Sequence, residues 1–122
     1  MRIVLAGLAL LAPLALAPLP AQAQDGDRVA STAIAQGDLA RAERELTREL
    51  RIHPGRPELL LNLAAVYAGT GRQAEARNLY RDVLAQDEVL MQLSADRVAG
   101  SHAVANAGLR RLGDGQVASS AR

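Results

Sequence analysis

The side chains that could carry chemistry are few and poorly grouped. The sequence has no Cys and two histidines, His53 and His102. A zinc site needs several ligands converging, often two His at i, i+4 or a Cys/His cluster, and neither histidine has such a neighbour. His102 follows Ser101, which raises the thought of a nucleophile beside its base. Adjacent residues at a helix start point in different directions, however, and an N-cap role accounts for the serine. Gly113 and Gly115 have the G-x-G spacing of a phosphate turn, yet they follow a helical pattern and enter a tail, the wrong context for a dinucleotide site. No catalytic residue, metal or cofactor is therefore expected. Arg41, Arg44, Arg48 and Arg51 are interleaved with Glu43, Glu45 and Glu49, the pattern of a solvated helix face. Within it, Arg41 with Glu45 and Glu45 with Arg48 have the spacing of weak helix-surface ion pairs.

The elements that would hold these residues begin only after a distinct leading segment. Met1-Arg2 is a short positive start, Ile3 to Ala12 contains no polar side chain, and Ala21-Gln22-Ala23 supplies small residues where a signal peptidase reads them. Residues 1–23 are expected to be a signal peptide cleaved after Ala23. The competing reading is a retained anchor. Ile3 to Leu19 sits at the lower end of the roughly 17–25 residues that span a bilayer. Pro13 and Pro18 interrupt it, each at about 3 kcal/mol inside a helix. After cleavage no stable membrane anchor is expected.

The whole chain has 14 Arg, no Lys and 13 acidic residues, a formal charge of +1. Arg2 is the only charge in the leading segment, so the remainder is neutral. A balanced remainder lacks the electrostatic footprint of a nucleic-acid binder. Arg without Lys, beside so much Ala and Leu, points to a GC-rich bacterial genome and hence to the periplasm. Without Cys there is neither a lipid-modified N-terminus nor a disulfide staple. The remainder is long enough for one small domain.

Displacing residues 24–122 on themselves by 34 positions superposes Gly37 on Gly71, Ala42 on Ala76 and Leu50 on Leu84. Leu60, Leu63, Ala64 and Tyr67 fall at i, i+3, i+4 and i+7, one stripe of a helix. Pro57 suits its first turn, where a missing N–H costs nothing. Gly71 suits the left-handed residue just past its end. A second helix is expected from about Arg72 to Gln86, burying Ala76, Tyr80, Val83 and Leu84, so that 57–90 form one helical hairpin. The preceding copy, about 24–56, ends in a helix capped by Asp38, with Leu39, Ala42, Leu46 and Leu50 inside. Its first helix is sparse, with Val29, Ala30, Ala33 and Ile34 for a stripe.

Leu60-x2-Leu63-Ala64-x2-Tyr67 followed by Ala76-x3-Tyr80 resembles the tetratricopeptide repeat, whose unit is about 34 residues long. The resemblance implies an all-α fold, a short helical-hairpin array with a C-terminal capping helix, over residues 24–112. It also implies a concave face, lined by the first helix of each repeat, that accepts a peptide or partner helix. Carried over by position, that face is Glu58, Leu61, Asn62 and Ala65 in the second copy and Arg28 and Ser31 in the first. Asn62 matches a polar groove position whose amide bonds a ligand backbone. Arg28 fits one position of the carboxylate clamp found in chaperone-binding members, whereas Glu58 and Leu61 stand where cations would be wanted. The implied function is an exported, non-catalytic protein-interaction module. The alternative is a small structural or regulatory subunit of a cell-envelope enzyme or secretion complex.

After Glu88 the repeat stops. Residues 89–100 read as irregular or as a short β-hairpin around Ser94-Ala95-Asp96-Arg97, with helical continuation as the alternative. Ser101 is expected to cap a last helix over 102–112, with Ala105, Leu109 and Leu112 inside and Gly113 as its stop. Residues 113–122 are expected to be disordered. Two repeats are fewer than the three a solenoid usually needs. Leu59, Leu61 and Val66 are apolar beyond the stripe, so docking on a partner or homo-oligomer formation is expected.

Overall fold

The computed structural model describes residues 33–120, with side chains over 33–115. The signal segment, its cleavage point after Ala23, Arg28 and Ser31 lie outside the described residues. Residues 33–35 are helical and lead into α1 (Leu39–Ile52), α2 (Pro57–Gly69) and α3 (Gln73–Leu84). A two-stranded antiparallel hairpin, β1 (Leu90–Ser94) and β2 (Arg97–Gly100), precedes α4 (Ser101–Ser120). The chain is predominantly helical, and 89–100 takes the hairpin form among the readings open to it. Among the described residues no helix is long and apolar enough to cross a membrane.

The repeat is visible in the backbone itself. Gly37 and Gly71 are the two described residues with positive φ, +75° and +81°. Around Gly37, the Asp38 N–H donates to Ala33 C=O and the Gly37 N–H to Ile34 C=O. Around Gly71, the Arg72 N–H donates to Tyr67 C=O and the Gly71 N–H to Ala68 C=O. Both are Schellman turns, in which a left-handed residue lets the chain satisfy the last carbonyls of one helix while reversing into the next. Asp38 then accepts the Arg41 N–H at 3.1 Å and starts α1. Pro57 occupies the first turn of α2, where its missing N–H is not needed.

The apolar side chains of α2 divide between two faces. Leu59, Leu63 and Val66 pack with Ala33, Ala42 and Leu46. Leu60, Leu61 and Ala64 pack with Ala76, Tyr80, Val83, Met91, Ala105 and Leu112. This corrects the expectation that Leu59, Leu61 and Val66 form a surplus left for a partner. All three are buried within the chain, because α2 has the first repeat on one side and α3, α4 and the hairpin on the other. The exposed large hydrophobics among the described residues are Ile52, Val89, Leu90, Leu93 and Val98, four of them in or beside the hairpin.

Two further expectations are corrected at α4. The helix runs past Gly113 to Ser120, through the segment read as a disordered tail. Gly113 has no positive φ and so makes no left-handed stop. A glycine inside a helix costs only about 1 kcal/mol relative to Ala, too little to end a helix unless the chain also reverses. Ser101 is not a side-chain cap either. β2 runs into α4 without an intervening residue, so Ser101 still faces Val89 across the hairpin. Its N–H donates to Val89 C=O at 2.8 Å, and its hydroxyl accepts the Val89 N–H at 3.0 Å. The hydroxyl takes the place of a ladder carbonyl that has already turned into the helix. Ser101→Ala should therefore cost about 1–2 kcal/mol in urea unfolding, with faster amide exchange at Val89, because that N–H loses its acceptor in a partly buried position.

Candidate partner groove

Glu58, Leu61 and Asn62 share the N-terminal half of α2, one helical turn apart. They line a pocket of about 110 Å³ together with Met91, Gln92 and Leu93 of β1 and Val104 of α4. Leu61 is 6% exposed and forms part of the core beneath the pocket, so it is a packed wall rather than an open groove position. Asn62 is half-buried at the pocket, and the Glu58 carboxylate lies 3.4 Å from Arg56 Nε. Ala65 is exposed and does not line the pocket. Three of the six expected face residues are thus brought together, one stands apart, and Arg28 and Ser31 are not described. Met91, Gln92, Leu93 and Val104 were not anticipated. The signal that could have suggested them is the apolar stretch 89–93 directly after the repeat, which has to rest on something.

Ser101, His102 and His53 are engaged locally. The His102 Nε2–H donates to Gln86 C=O at 2.7 Å, while the Ser101 hydroxyl is bonded to Val89. Serine and histidine both fasten the loop between α3 and β1 rather than each other. His53 is the C-cap of α1, where its backbone N–H donates to Glu49 C=O.

The ion pair that matters for the array joins the two repeats. Arg72 grips the Glu43 carboxylate with both terminal nitrogens, Nη1 donating to Oε1 at 2.9 Å, while its guanidinium carbon lies 4.2 Å from the centre of the Tyr67 ring. Neither Arg41–Glu45 nor Glu45–Arg48 forms within 4.0 Å among the described residues, so the within-helix pairs expected there are replaced by one between α1 and the start of α3. An i, i+4 pair gains only tenths of a kcal/mol and holds two long side chains still, whereas a planar fork meeting a carboxylate is preorganised.

The hydrogen bond from Arg72 holds the Glu43 carboxyl below its ordinary value of 4.5 and raises Arg72 in turn. A carboxyl with a lowered folded pKa contributes stability above its unfolded pKa and loses it as the pH falls through the folded value. The stability gap between the natural chain and Glu43→Gln should therefore be present at pH 6 and close progressively below about pH 4.5. Both groups are about one-third exposed, so the gap should be smaller than that of any core substitution. Urea midpoints measured across that range check it.

The family model described as tetratricopeptide repeat matches residues 33–89, from the first Schellman turn to the residue before β1. Neither a curated protein nor a solved structure matches the chain. The hairpin and α4 lie beyond the matched segment, and they supply four of the seven residues that line the pocket. Repeats of this kind generally mediate contacts between proteins. With two Schellman-linked helix turns in register and the match running across both, residues 33–89 belong to the tetratricopeptide repeat family.

Proposed function

We propose that the chain is an exported, non-catalytic interaction module that takes a peptide or partner helix on the α2 face closed by the hairpin. The observation that carries this reading is the pocket itself. The positions that a repeat of this family offers to ligands, Glu58, Leu61 and Asn62, border an opening with an apolar wall and an amide at its side. That combination suits a backbone hydrogen bond beside one inserted side chain. The apolar run after Arg2 and the Ala21-Gln22-Ala23 sequence support removal of residues 1–23 and a periplasmic location. No cofactor enters this reading.

The partner is to be found by affinity capture with the mature chain in its own periplasm, then tested with Asn62→Ala. One lost amide hydrogen bond should weaken binding by about fivefold with the helical circular dichroism unchanged. Unchanged affinity would instead favour the other reading, a permanently packed subunit of an envelope complex in which this face is no receptor.

A further inference from the structure

The hairpin has an outer edge along β1, and its hydrogen bonds identify which groups that edge presents. Antiparallel ladders alternate between residues that exchange both backbone bonds and residues whose N–H and C=O point away from each other. The Ser101 N–H donating to Val89 C=O places Val89 and Ser101 at a bonded pair. In the register Leu90 with Gly100, Met91 with Ala99 and Gln92 with Val98, Met91 is then the next bonded residue of β1. The N–H and C=O of Leu90 and Gln92 consequently point off the side of β1 away from β2. Among the described residues they have no backbone partner outside the hairpin.

The same edge borders the pocket. Met91 and Gln92, before the bulge, point to opposite faces of the strand, yet both line it together with Leu93. An opening that touches three consecutive strand residues abuts the edge of the strand, and only the β1 edge is unpaired on that side. Across the opening stand Glu58 and Asn62 of α2. Edge strands in natural proteins usually carry a charge, a proline or a cover that blunts pairing. β1 reads Leu-Met-Gln-Leu-Ser, with no charge and no proline, and Leu90 is 76% exposed. A bulge breaks the register only at the far end, between Gln92 and Ser94.

We infer that the partner segment binds as an added strand on the β1 edge, extended rather than helical, with one aliphatic side chain in the pocket. The inference rests on the reading of this face as the partner surface and specifies its chemistry: an extended segment of about four residues, alternating in side-chain direction, with one aliphatic side chain. Backbone bonds to Leu90 and Gln92 supply affinity, and the pocket selects the side chain. A pocket of about 110 Å³ with Leu61, Met91, Leu93 and Val104 in its lining has room for one aliphatic side chain. The third strand would also support a two-stranded hairpin that is marginal by itself.

The probe is a set of binders selected from a random twelve-residue peptide library against the purified full chain, with affinities read by fluorescence anisotropy. Leu90→Pro removes the outward N–H without touching a ladder bond, and Leu90→Ala is its matched control. Leu90→Pro should bind about tenfold more weakly than Leu90→Ala. Independently of any change to the protein, N-methylation of the peptide backbone should cost about tenfold at alternate residues and little between them. Binders weakened by Asn62→Ala but indifferent to both backbone tests would overturn strand addition and leave the groove reading standing. Binders indifferent to Asn62→Ala as well, or no enriched binder, would overturn both. A free chain found as a dimer with the Leu90 and Gln92 amides protected would place a second copy on the edge and also overturn the proposal.

Discussion

Gly108→Ala is expected to lower the stability of the chain by about 1–3 kcal/mol, although the same change in most helices would raise it. Gly108 lies within α4 where that helix crosses α3, and the ring of Tyr80 rests on it. A Cβ at this position would lie within 2.7 Å of three ring carbons. Tyr80 is 5% exposed and packed among Ala76, Val83 and Ala105, so the ring cannot swing aside without disturbing them. Two effects of opposite sign compete. Alanine gains about 1 kcal/mol over glycine in a helix interior. Overpacking a close-packed site typically costs 1–3 kcal/mol, sometimes more, and the contact here is far inside van der Waals distance, so the clash wins. The sign is checked by a double-mutant cycle. In a Tyr80→Leu background the ring is gone, and Gly108→Ala should become neutral or stabilising. Urea midpoints for the four chains decide it. A loss of equal size in both backgrounds would mean that glycine matters there for a reason other than the ring.

That contact also shows where sequence reading stops. Turns governed by local backbone chemistry were legible: Gly37 and Gly71 each supply a left-handed residue, Asp38 caps α1, and Pro57 opens α2. Leu60, Leu63 and Ala64 were legible as buried because their spacing has a helical period, although Leu63 packs with the first repeat and Leu60 and Ala64 with α3 and α4. Residues whose role depends on what lies across from them were not. Nothing near Gly108 in the sequence announces a tyrosine ring from another helix. Leu59, Leu61 and Val66 are surplus to a contact between α2 and a single neighbour, whereas α2 has neighbours on both sides. Ser101 had the composition of a cap, but its hydroxyl accepts from Val89, the residue before β1, twelve positions earlier. The candidate groove divides in the same way. Glu58, Leu61 and Asn62 follow from repeat position, while the opposite wall comes from a hairpin outside the repeat, whose register no repeat pattern encodes.

Leu46→Ala should cost about 3 kcal/mol, and where the loss falls matters more than its size. Leu46 is fully buried among Ala42, Leu59, Leu63 and Val66, and truncating a leucine in such a site loses transfer free energy and leaves a cavity. A domain of this size has roughly 5–10 kcal/mol in total, so the loss is a large fraction. Its distribution follows from the two clusters. The one around Leu46 joins α1 to a single face of α2, while the one around Tyr80 holds α2, α3, α4 and the hairpin together. Leu50, Tyr67 and Leu79 touch both, and the Arg72–Glu43 pair adds a polar link between α1 and the start of α3. Repeats that contact only their neighbours can open from an end, at a free energy below that of global unfolding. Native-state hydrogen exchange should therefore show α1 amides losing most of their protection in Leu46→Ala, with α3 and α4 amides changing little. The face of α2 toward the hairpin would then keep its shape, and peptides selected on the β1 edge should bind the variant within about twofold of the natural chain. Equal loss of protection in α1 and α4 would show instead that the three linking side chains and the ion pair make the two clusters one cooperative unit, so that damage to the first repeat reaches the groove.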